Sequence, residues 1–281
     1  MARWRLWVLL VMGAVGCGSP TPPSPFVPPT VKITTPPIIR SVTAPAGRVE
    51  AGQDFPITAV IEDAETPLNA FTFLWSANAG TITGTGPSAT WRHALGLKSG
   101  VDVVITLTVI EKYRAVENNV IVDREYRVVG QAVPFRVHDS AAEMKELARK
   151  FLLDLFGNSN IPPLACLVDF SESGRCAKGK ADELQDITAN RQLVEIKSGK
   201  IYSQQFVSEG PNAARVHNDA EFFSVLKSSG VGGFAKGDFI ITGIYEGNRW
   251  WICESNYDPI VGHGALYELY KKRSGGGVPI K

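Results

Sequence analysis

The chain of 281 residues has the length of two ordinary domains. Lys and Arg number 29 against 28 Asp and Glu, a net charge of +1, which removes the clustered basic excess that a nucleic-acid partner requires. Beyond Val15 the sequence holds no apolar run of the about 20 residues that a membrane-spanning helix needs.

In chain order, Arg3 and Arg5 precede the apolar run Trp7-Val8-Leu9-Leu10-Val11-Met12, and small residues follow in Ala14-Val15-Gly16-Cys17. A short basic head, a short apolar core and small residues at a cut describe a secretory signal. With the cysteine after the small residues, the segment resembles a bacterial lipoprotein signal and its lipobox, with Ala14 where Leu is commoner. The resemblance implies that residues 1–16 are removed. Cys17 then carries diacylglycerol on its sulfur and an acyl group on the new amino terminus. An ordinary signal peptide with an incidental cysteine is the alternative. Residues 17–37 form a tether, because prolines 20, 22, 23, 25, 28, 29, 36 and 37 remove backbone donors and impose extended geometry. Gly18 stands where an Asp often signals inner-membrane retention. The implied address is the bacterial cell envelope, in the outer membrane if the organism has one.

Residues 38–137 are dense in short strand patterns. Phe55 to Ile61, Ala70 to Trp75, Gly80 to Gly84, Val103 to Ile110, Val120 to Val122 and Tyr126 to Val129 predict an antiparallel sandwich. Ile57-Thr58-Ala59, Glu62-Asp63, Phe73-Leu74-Trp75-Ser76, Gly80-Thr81-Ile82 and Ala89-Thr90-Trp91 resemble a bacterial Ig-like domain of the polycystic-kidney-disease-repeat (PKD) type. Ser76-Ala77-Asn78-Ala79-Gly80 replaces that family's Gly-Asp-Gly turn. Trp75 reads as the core anchor. Gly84-Thr85-Gly86 is expected to be a hairpin turn, since no helix follows to receive a pyrophosphate. Asp63 and Glu65 offer two oxygens to a calcium ion, but two carboxylates without a fuller ligand set read as solvated turn residues. No metal and no cofactor is expected.

Ser140 and Glu143 have the spacing of a capping box. Met144, Leu147, Ala148, Phe151, Leu152 and Leu155 then form one apolar helix face that ends at Gly157. A second helix is expected over Ala181 to Ile196. Strands follow over Lys200 to Val207, Ala213 to Leu226, Asp238 to Tyr245 and Arg249 to Ser255, the last two joined by a tight turn at Gly247-Asn248. Helices before an antiparallel meander make an α+β order over residues 138–260. The opening helix, Gly179 to Leu184 and the closing Gly-Asn hairpin with Trp250-Trp251-Ile252 resemble the nuclear-transport-factor-like superfamily, in which a curved sheet wraps a helix into a cone. Members include isomerases, cyclases and dehydratases as well as proteins that only bind. Residues 261–281 read as a C-terminal extension with a short helix and a frayed tail. The expected fold is thus a two-domain chain, an all-β sandwich followed by an α+β cone.

Asp169, Asp186, Tyr202, His217 and Trp251 are the candidates to line a ligand pocket, yet no spacing forces any two of them together. No catalytic set is readable. Outside the cytoplasm, thiols oxidise. A bond between Cys166 and Cys176 across their short loop is the default, Cys253 is expected as a buried thiol, and pairings of Cys253 with either remain open. The expected function is binding or scaffolding at the envelope, with the cone as recognition element. The expected partners are the membrane through Cys17 and an envelope protein, small ligand or glycan. The alternatives are a pocket enzyme of the isomerase or cyclase type and a glycan-binding accessory protein.

Overall fold

The structure, a computed structural model, describes residues 31, 34–157, 161–264 and 267–268. The signal segment, Cys17, most of the tether and most of the C-terminal extension lie outside the described residues.

Ten strands come first: β1 (Ile38–Thr43), β2 (Arg48–Glu50), β3 (Asp54–Glu62), β4 (Thr72–Ala77), β5 (Thr81–Thr83), β6 (Ser88–Arg92), β7 (Val101–Val103), β8 (Ile105–Glu117), β9 (Val120–Gln131) and β10 (Phe135–His138). Among the described residues they pair as β1-β3-β6-β5, β4-β8-β9 and β2-β10-β7. The first two sheets pack through Ile39, Ala59 and Ile61 on one side and Phe73, Leu107, Val109 and Val128 on the other. Alternation along β3 and β8 dictates this, since every second residue must leave water. Trp91, not Trp75, is the fully buried anchor. Its ring meets Phe135 edge-to-face at 4.8 Å and its Nε1 donates to the Ala79 carbonyl oxygen. Trp75 is half-buried on β4, with Nε1 donating to Gly86 O. Both residues alternate inward, and only the position of the third sheet decides which reaches the centre. Gly84 and Gly86 have positive φ in the β5–β6 turn, as the hairpin reading expects.

Helix α1 (Ser140–Gly157) follows directly on β10. Its cap is Asp139, whose Oδ1 accepts from the Ala142 N–H. The Ser140–Glu143 box does not form. Ser140 Oγ donates instead to Glu50, while Glu143 pairs with His138. Helix α2 (Gly174–Leu193) starts seven residues before the expected Ala181, since Cys176 holds its first turn. Strands β11 (Val194–Gly210), β12 (Ala213–Leu226), β13 (Gly232–Glu246) and β14 (Arg249–His263) form an antiparallel meander in sequence order. Gly247 and Asn248, with φ of 56° and 64°, make its last tight turn. The apolar face of α1 lies on this sheet: Met144, Ala148, Phe151, Leu152, Leu155 and Phe156 join Val216, Phe222, Phe239, Ile241 and Ile252 in one core. Gly199 lets α1 approach, because a methyl there would meet Phe156 Cβ at 2.5 Å.

A buried polar network joins the two sets of sheets. His138, 1 % exposed, lies between Glu143 (2.8 Å from Nδ1) and the Tyr245 hydroxyl (2.7 Å from Nε2). Both ring nitrogens of this buried imidazole therefore have a hydrogen-bond partner, one on each side. Burial pushes the Tyr245 phenol up, which keeps it a donor. Ser140 Oγ accepts from Trp250 Nε1 at 3.0 Å, and the Arg48 guanidinium lies 4.1 Å over the Tyr245 ring.

Candidate functional site

The site is built where the segment before α2 runs beside the start of β14. Phe170 bridges Ile252 in parallel: Ser171 N–H donates to Ile252 O, and Ile252 N–H donates to Asp169 O, both at 2.8 Å. Three residues past Ser173 the chain is bonded to β14 by the Cys176–Cys253 disulfide. One helical turn further, Gly179 sits against the Cys253 carbonyl, where a methyl group would overlap the oxygen. The helix can reach the strand only because that side chain is missing.

The disulfide corrects the expected Cys166–Cys176 pairing and the reading of Cys253 as a free thiol. Cys166 lies at the end of a 3-10 turn (Pro163–Leu167) that points its sulfur back toward α1, 3.6 Å from Asp154 O and 3.4 Å from Arg191 Nη2. Proximity in sequence is overruled by this turn, which directs the two sulfurs to different neighbours. Cys166 remains a buried free thiol whose pKa is pushed up by burial, against the opposing pull of Arg191.

Between the stapled segments lies a hollow of about 470 Å³, walled by Val168, Phe170 and Trp251 and floored by Ser171, Ser173, Lys180 and Glu246. Glu246 accepts from Ser171 Oγ and from Ser173 Oγ, and these hydroxyls hold its carboxyl below the usual range. Trp251 Nε1 donates to Glu246 O at 3.1 Å, and Arg249 stacks 3.8 Å over the Trp251 ring. Arg249 also bonds Asp169 Oδ1 at 2.8 Å, while Lys150 from α1 bonds Asp169 Oδ2 at 2.6 Å. Burial raises the Asp169 pKa, but the two cations outweigh it and hold the carboxyl below its ordinary value.

Of the five pocket candidates, Asp169 and Trp251 are therefore brought together, through Arg249. The other three are not. Tyr202 lies on the sheet face opposite α1, flanked by Lys200 at 4.6 Å and Lys236 at 4.4 Å. His217 shares that face, 2.5 Å from Asp238. Asp186 is on α2, half-exposed beside the buried Ile187. A buried carboxylate does lie between α2 and the sheet: Glu183, 5 % exposed, accepts from Ser255 Oγ on β14. Elsewhere on this face Phe156 stacks on Phe222 at 4.8 Å, and Phe239 meets Tyr257 at 4.1 Å. Ser171, Ser173 and Glu246 were not singled out by the sequence, because hydroxyls near a cysteine and a Glu before a turn carry no distinctive spacing.

No family model and no curated protein matches the chain. Among solved structures it is similar to a ketosteroid isomerase-like protein from Erwinia carotovora atroseptica. The two are 13 % identical with a TM-score of 0.36, over 44 % of this chain and 98 % of that one. A likeness of this size says nothing about what either chain does.

Proposed function

We infer that this protein is a lipid-anchored component of a bacterial cell envelope that binds rather than transforms its partner. The disulfide-stapled hollow beside Trp251 is its recognition element. An Ig-like spacer and a nuclear-transport-factor-like cone are the units that this reading assigns to residues 38–137 and 138–260. The observation that carries the reading is the state of the cone's interior. A general base for isomerase chemistry needs a carboxylate raised toward neutrality in an apolar chamber. Here the inner face is occupied by Phe156, Phe222, Phe239 and Tyr257, the buried carboxylate of Glu183 is tied to the Ser255 hydroxyl, and two cations hold the carboxyl of Asp169 below its ordinary range. The hollow, in contrast, combines one aromatic wall with a few fixed polar groups on a covalently braced frame, the composition of a binding site.

Two measurements test this. Intact mass and membrane fractionation of the native protein beside Cys17→Ser examine the anchor: lipid mass on Cys17 and release of the variant are expected. A soluble protein with a free Cys17 thiol ends that part of the reading. Recognition is tested with a photo-crosslinking residue at Val168 in the native envelope, against a control at the exposed Val133. A discrete adduct at 168, lost on Trp251→Ala, is expected. Equal labelling at both positions refutes it.

A further inference from the structure

The end of the sandwich where the tether arrives gathers buried oxygens that lack partners. Asp63 closes β3 with an Asx turn: its Oδ1 accepts from Glu65 N–H at 2.8 Å and from Thr66 N–H at 2.5 Å, while Oδ2 is buried with no hydrogen-bond partner. Thr66 Oγ1 donates at 2.5 Å to Glu111 Oε1, from the middle of β8. Glu111 is 1 % exposed, and its Oε2 also has no partner. Directly opposite Glu111 on β9 stands Tyr126, whose hydroxyl donates to Thr34 O at 3.3 Å; the Thr34 hydroxyl is a third buried oxygen without a partner. Thr35 ties the same segment to Glu65 at 2.9 Å.

Neither Asp63 nor Glu111 meets a Lys, Arg or His among the described residues. A buried carboxylate oxygen with neither a cation nor a donor costs several kcal/mol. Among the described residues the other buried carboxylates are Asp139, whose two oxygens accept from the Gly96 and Ala142 N–H groups, and Glu183, which accepts from Ser255 Oγ. We propose that Asp63 and Glu111 share a bound calcium ion, with Thr34 and Thr66 supplying neutral oxygens, and that the ion clamps the tether to the sandwich. The chemistry selects the ion. The site is all oxygen, with two carboxylates and no nitrogen or sulfur, and the hard cation that accepts irregular shells of carboxylate, hydroxyl and water oxygens is calcium. Among the described residues no three His, Cys, Asp or Glu side chains converge as a metal shell, so hydroxyls and water must complete the coordination. A surface hollow lined by Thr35, Pro36, Ile38, Asp63 and Ala64 gives water and ions a path to the Asp63 end. Of these groups, only Asp63 and Glu65 were visible as a pair in the sequence. Glu111, which the fold delivers from 45 residues away, is the group that changes the balance.

The test uses the full-length chain with calcium chloride as the probe, read by thermal unfolding and by calorimetric titration, with magnesium chloride and EDTA as controls. A dissociation constant of about 0.1–1 mM is expected, the range of extracellular calcium modules, and at a calcium concentration about 10 times that constant the unfolding equilibrium constant falls about tenfold. Glu111→Gln and Asp63→Asn, each checked for folding by circular dichroism, are expected to abolish the calcium response. Thr81→Val, on an exposed strand outside the cluster, is expected to keep it. Absence of a calcium shift in the native chain overturns the proposal. So does a shift that survives in both carboxylate variants, since the ion then binds elsewhere.

Discussion

Replacing both Cys176 and Cys253 by serine removes the covalent link between α2 and β14. The two cysteines are 77 residues apart. On the chain-entropy relation a loop of that length restricts the unfolded chain by about 4.5 kcal/mol, whereas a loop of roughly ten residues, as between Cys166 and Cys176, gives about 2.7 kcal/mol. A loss of about 4.5 kcal/mol lowers the melting temperature by about 10–20 °C for a chain of this size. The assay is urea and thermal unfolding of the native protein, the double variant and the reduced native protein. Non-reducing peptide mapping runs alongside to identify the bonded pair. The double variant and the reduced protein should coincide, and Cys166→Ser should leave the bond in place. A mapped Cys166–Cys176 peptide, or a reduced protein as stable as the oxidised one, would refute the stapled architecture of the hollow.

Asp169→Asn should cost about 1–2 kcal/mol at neutral pH, since both Lys150 and Arg249 lose an anion in a partly exposed pair. Because the folded pKa of Asp169 is depressed, its contribution is present above the ordinary aspartate value and is lost as pH falls through the folded one. Unfolding curves of native and variant protein should therefore converge below about pH 4; a gap independent of pH contradicts the ion-pair account. Tyr245→Phe leaves His138 Nε2 buried without its hydrogen-bond partner and should cost about 1–3 kcal/mol in denaturant titration. Cys166, buried and pushed up in pKa, should resist a thiol reagent at neutral pH and react only in denaturant. Equal rates in both states would show that the sulfur is accessible.

Local periodicity was sufficient for much of the fold. Strand β12 spans the expected Ala213–Leu226, α1 ends at the expected Gly157, and the Gly247-Asn248 turn has the positive φ that its residues permit. These features depend on contacts within a few residues, where a sequence pattern and its physical cause coincide. The cap of α1 shows where that reasoning ends. Asp139 and Ser140 are both competent caps, and Glu50, 90 residues earlier, draws Ser140 away.

By itself the sequence determined the two helices, the apolar face of α1 and the meander, because side-chain alternation and helical spacing are properties of the chain alone. Only the tertiary structure decided which cysteines bond, which tryptophan is central and which candidates share a site. Cys176 meets Cys253 because Gly179 lets a helix lie against a distant strand. Asp169 meets Trp251 because Arg249 bridges them, while Tyr202 and His217 are turned to the other face by the alternation of the same sheet. Such pairings are set by the packing of elements far apart in sequence, a distance at which spacing carries no information.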